Sequence, residues 1–115
     1  MYHFAYGEVV EDAGVNSRER ERFALDRSIE LLKSASEKGG HTQAALDALI
    51  YVRQLWSILL EDLAQPGNDL PVKLRADLIS IGVWIMKEAD RVRDDNSRTF
   101  TGLIDISSII RDGLK

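Results

Sequence analysis

Two long apolar stretches, residues 53–63 and 74–86, flank the turn-dense run Gln65-Pro66-Gly67-Asn68-Asp69. Both read at helical spacing, and both are apolar on more than one face. A surface helix of a globular protein hides a single stripe, so a helix that is apolar most of the way round needs several neighbours or a partner. The short turn makes the two helices antiparallel neighbours. In 115 residues, one core is available to cover them. The excess of apolar surface points towards binding rather than catalysis.

The remaining helices follow from periodicity and caps. Leu25, Ile29 and Leu32 fall at i, i+4 and i+7 of a segment that starts near Asn16 or Ser17 and stops at Gly39-Gly40. The next starts near Thr42. It carries two adjacent stripes, Leu46-Leu49-Arg53-Trp56-Leu60-Leu63 and Ala45-Ala48-Val52-Leu55-Leu59, which places it centrally. The third runs from about Pro71 to Asp94, with Leu74, Leu78, Ile81, Ile85 and Val92 as its stripe. Asn68 or Asp69 can cap it, and Pro71 suits its first turn, where a missing amide is harmless. Gly82 costs this helix about 1 kcal/mol against Ala, which implies the close approach of another helix. A fourth helix, capped by Ser97 or Thr99, runs to about Asp112, with Leu103, Ile106 and Ile110 on one side.

Ahead of these, Tyr2, Phe4 and Tyr6 alternate with period two, as in an extended segment. No strand partner is evident. The expectation is a single all-α domain over residues 1–115: a compact bundle of four main helices (17–115) with an extended N-terminal arm (1–16) laid on it.

Chemistry finds little to work with. The two histidines, His3 and His41, come with no metal-ligand spacing, and the chain has no cysteine. There is no phosphate-binding glycine loop, and Ser57 and Ser80 have no positioned histidine to activate them. Asp94-Asp95-Asn96 lacks the glycine and distal glutamate of a calcium loop. Glu61 and Asp62 read as a capped turn or a salt bridge to Arg75. No catalytic residue, metal or cofactor is expected. A net charge of −4 argues against gripping nucleic acid, and Arg18, Arg20 and Arg22 alternate with Glu19 and Glu21 in a self-cancelling face. The absence of cysteine, of a signal peptide and of a long apolar run is what a cytoplasmic protein with no membrane insertion would show.

Trp56 and Trp84 each bury up to ~250 Å² when covered. They serve either as core or as the lining of a groove for an apolar helix, with Met86 as the adaptable neighbour. The partner-binding candidates are Tyr2, Phe4, Trp56, Trp84, Met86, Ile109 and Ile110, positions where exposed apolar surface would be easiest to use.

Several blocks carry a resemblance. They include Met1-Tyr2 with Tyr6; Arg18-Glu19-Arg20 with Ala24-Leu25-Asp26-Arg27; and Arg53-Gln54-Leu55-Trp56-Ser57. Further blocks are Asn68-Asp69-Leu70-Pro71, Leu74-Arg75-Ala76-Asp77-Leu78-Ile79-Ser80-Ile81-Gly82 and Ile110-Arg111-Asp112-Gly113-Leu114. Together they resemble the FlaF family of alphaproteobacterial flagellar proteins over nearly the whole chain. The resemblance implies a non-enzymatic cytoplasmic protein tied to flagellin synthesis and secretion, acting as an export chaperone or adaptor for flagellin. It leaves open a post-transcriptional regulator working through a protein such as FlbT, and a structural homodimer that consumes its own apolar surface.

Overall fold

Helix α1 (Ser17–Lys38) buries Leu25, Ile29 and Leu32 together with the small residues Ala24, Ser28 and Ala35. The Ser28 hydroxyl donates to the Leu25 carbonyl at 2.7 Å, so this buried polar group is satisfied within its own helix. Three more helices follow: α2 (Gln43–Ala64), α3 (Val72–Asp94) and α4 (Thr101–Gly113). The computed structural model describes residues 17–38, 42–95 and 97–113, and no strand occurs among them. The expected N-terminal arm lies outside the described residues, as do His3 and His41.

Helix α2 is central. It packs on α1 along one side and on α3 along the other, while α4 packs on α1 and only grazes α3. Its buried face runs its whole length, from Ala45 through Val52, Leu55 and Trp56 to Leu63. That is the wide face read from sequence. Leu46 departs from the expectation: with Ile50 it stays exposed, because α2 has only two neighbours and its third side faces solvent.

The helix ends are held by local chemistry. Thr42 caps α2, its hydroxyl accepting from the Ala45 amide at 3.2 Å. At the other end, Arg75 reaches back from α3 and donates to the Leu63 carbonyl through Nε at 3.1 Å and Nη2 at 2.9 Å. Of the two readings for Glu61 and Asp62, the capped turn is the one found, with Asn68 Nδ2 donating to Asp62 Oδ2 at 3.2 Å. The salt bridge from Arg75 does not form, because the unpaired carbonyls of a helix C-terminus are the nearer acceptors. Nor does Asn68 cap α3. Its side-chain amide donates to the Asp62 carbonyl and its oxygen accepts from the Leu70 amide, so it ties the turn to α2. Pro71 takes the N-cap position of α3 with no side-chain hydrogen bond.

Gly82 explains how α2 and α3 approach so closely. A Cβ there would lie 2.7 Å from Leu60 Cδ2 and 2.9 Å from Trp56 Cε3. The connection to α4 is pinned by Glu88, which is buried on α3 and accepts from Arg98 Nη2 at 3.1 Å and from Arg91 Nη1 at 3.1 Å.

Candidate functional site

The helices are unequal. α1, α2 and α3 have 22, 22 and 23 residues, but α4 has 13. At 1.5 Å per residue, α4 spans about 20 Å against about 34 Å for α3. It leaves the turn after Asp94 and runs back beside the bundle, meeting α3 where Trp84 covers Gly102; a Cβ on Gly102 would lie 3.3 Å from Trp84 Cη2. Its far end is tied to α1 by the Arg111–Asp26 ion pair. From there to the start of α3, no fourth helix completes the bundle.

The result shows in the burial of α3. From Ile85 onwards, Ile85, Glu88, Ala89 and Val92 are buried. Between Val72 and Val83 only Gly82 is buried. Leu78, Ile79 and Ile81 are half-buried, and Leu74 and Val72 are 43% and 79% exposed. Leu74, Leu78 and Ile81 are expected from sequence to lie on the buried stripe. Leu78 lines a cavity and Ile81 packs against the core, but Leu74 stays exposed, because α4 packs mainly on α1 and touches α3 only weakly.

A partly enclosed cavity of about 50 Å³ lies at this open end. Trp56, Leu59 and Leu63 of α2 form its floor, with Leu25 of α1, Leu70 of the turn, Leu78 of α3 and Ile110 of α4 around it. Glu21 and Asp62 are the charged lining residues, both acidic. The cavity can receive an aliphatic side chain, and the exposed first turns of α3 extend its apolar surface. Nothing in its lining offers a nucleophile with a base, and no cluster of three or more His, Cys, Asp or Glu side chains suited to a metal ion exists among the described residues.

The candidates read from sequence separate on this geometry. Trp56 is 2% exposed, so it is both core and cavity floor. Ile110 joins it in the lining. Trp84, 41% exposed, stands at the closed end of the same α3–α4 seam. Met86 is two positions further on, roughly 200° round the helix, and faces α2: its carbonyl accepts from Arg53 Nη1 at 3.2 Å. Ile109 is 66% exposed and points to solvent. Tyr2 and Phe4 lie outside the described residues. Sequence reasoning does not single out Leu25, Leu59, Leu63, Leu70 and Leu78 as a site, although each except Leu70 falls on a helix stripe. The usable signal is the mismatch between a short fourth helix and a long third one.

The charges on the bundle form compact pairs rather than a basic stripe. Arg53 binds Asp90 at 2.7 Å, and Arg93 lies 3.4 Å from the same carboxylate. Asp94 sits below the usual carboxylate range, held there by its hydrogen bond from Arg93. No described helix is long and apolar enough to cross a membrane.

Comparison with known proteins adds one result. The family model described as "Flagellar protein FlaF" matches residues 2–114. No curated protein and no solved structure matches the chain.

Proposed function

The chain belongs to the FlaF family of flagellar proteins, and from that premise we propose that it binds flagellin before export, as a chaperone or adaptor. The observation that supports this reading is the apolar cleft left where α4 stops short, floored by Trp56 and continued by the exposed start of α3. An amphipathic helix laid along α3 would supply the missing fourth neighbour, with one apolar side chain seated between Leu78 and Ile110. This is the helix-in-groove mode of peptide recognition.

A cytoplasmic chaperone must give up its client, so moderate affinity is the fitting regime, with a Kd near 1 μM, or about −8 kcal/mol. The test is calorimetry with the two terminal segments of the cognate flagellin, titrated separately into the full chain and into Leu78→Asp. Saturable micromolar binding of one segment, weakened at least tenfold by Leu78→Asp in a variant of unchanged helicity, is expected. Absence of binding to both segments at tens of micromolar would sink the proposal and shift attention to a protein partner such as FlbT.

A further inference from the structure

We propose that the Asp26–Arg111 ion pair is a latch on the cleft: it holds the last turns of α4 against α1, and its release lets that end of α4 swing out and widen the opening. Three observations converge on this. The first is position. Each partner is the chain neighbour of a cleft-lining residue, Asp26 of Leu25 and Arg111 of Ile110, so the pair spans the cleft margin from α1 to α4. The second is the burial of α4. Phe100, Leu103 and Ser107 are buried, but none of residues 108–113 is. The first half of the helix is held by packing, whereas the second has the half-buried Ile110 and the ion pair. The third is a fixed base. Arg98, just ahead of α4, is bound to the buried Glu88, and Trp84 covers Gly102 in its first turn. A helix anchored at its start and latched at its tip can pivot when the latch opens.

The pair is built to be released. Its side chains are 32% and 41% exposed, so water and salt reach both charges. Pairs of this kind shift a local equilibrium by up to about fivefold, which biases the opening without sealing it. Release also leaves neither charge stranded. Asp112 still accepts from Arg111 Nε at 2.7 Å, and the Asp26 carboxylate returns to water. That a wider cleft admits a client rests on the reading above, but the latch itself does not, and it is tested without a client.

Amide hydrogen exchange in the full chain reads the latch directly. In Asp26→Asn, the amides of Ile109, Ile110 and Arg111 should exchange about fivefold faster, with those of Leu103 to Ser107 unchanged. The unaltered chain should approach the same rates in 1 M salt, where the screening length falls to about 3 Å. Glu30→Gln makes the same charge change one turn along α1, in an exposed pair with Arg27, and should leave α4 as it is. The reversed pair Asp26→Arg/Arg111→Asp should restore protection. The cleft itself is read with a soluble gadolinium chelate, which should broaden the methyls of Leu25, Leu59 and Leu78 several-fold more in Asp26→Asn. Unchanged exchange, equal acceleration in Glu30→Gln, acceleration spread evenly through α2, or unchanged chelate access each overturns the proposal. A working latch in a chain that binds neither flagellin segment would remove the proposed function and leave the latch standing.

Discussion

Gly82 of α3 and Trp56 of α2 meet so closely that a single methyl on the glycine would stand 2.9 Å from the indole ring. The contact sets the spacing of the two helices above the cleft floor. Gly82→Ala gains about 1 kcal/mol of helix propensity and incurs about 1–3 kcal/mol of overpacking. Leu60 Cδ2, at 2.7 Å, can swing aside, but the buried Trp56 ring cannot. The net expectation is destabilisation by about 1 kcal/mol, read from urea midpoints at unchanged m-value. In a Leu60→Ala background the loss should shrink without vanishing, because the tryptophan contact remains.

The buried carboxylate of Glu88 is the hub of the α3–α4 connection, held by Arg91 and Arg98. Its pairs are more than surface ornaments because Glu88 itself is only 7% exposed. Glu88→Ala is expected to cost about 2 kcal/mol, the range for hydrogen bonds to charged groups. Arg98→Ala should cost less, since Arg91 still pairs with the carboxylate. Thermal unfolding of both variants checks the order.

Ser107 is buried on α4, and its hydroxyl has no hydrogen-bond partner among the described residues. Ser107→Ala removes an unsatisfied group and improves helix propensity. The variant should be more stable by about 1 kcal/mol, raising Tm by about 4 °C in a domain of this size. A lower Tm would mean that the hydroxyl finds a partner in solution.

Burial pushes the Tyr51 phenol above its ordinary value, and the positive charge of Arg27 pulls it partly back. The neutral form is thus favoured in the folded state. Stability from this group is complete below the unfolded pKa of about 10 and is lost as pH rises through the higher folded value. Carbon-13 titration of the Tyr51 ring should give a midpoint above that of tyrosine in the urea-unfolded chain. A midpoint at or below it would contradict the burial.

Sequence pattern carries the helices well because their signals are local. Thr42 caps where its hydroxyl can reach an amide three residues on, and Gly82 marks a close approach that the geometry bears out. The cleft is a different kind of fact. It depends on which helix α4 packs against and where it stops, and neither is encoded within one turn of any residue. Arg75 and Asn68 depart from expectation for a related reason. Arg75 takes backbone carbonyls rather than carboxylates, and Asn68 ties the turn to Asp62 rather than capping α3, because of how the turn folds back. Trp84 and Met86, close together in sequence, part company because two helical positions separate them by more than half a turn.

The uneven burial along α3 has a consequence for motion. Its last turns are anchored by Ile85, Ala89 and Val92, whereas its first three turns bury only a glycine. Free energies of local opening follow buried contacts, so amides from Lys73 to about Ile81 should exchange with solvent well before those beyond Ile85. The helix is continuous in shape but two-part in energy. The soft part forms one wall of the cleft, so the opening can widen by fraying that wall while the rest of the bundle stays folded.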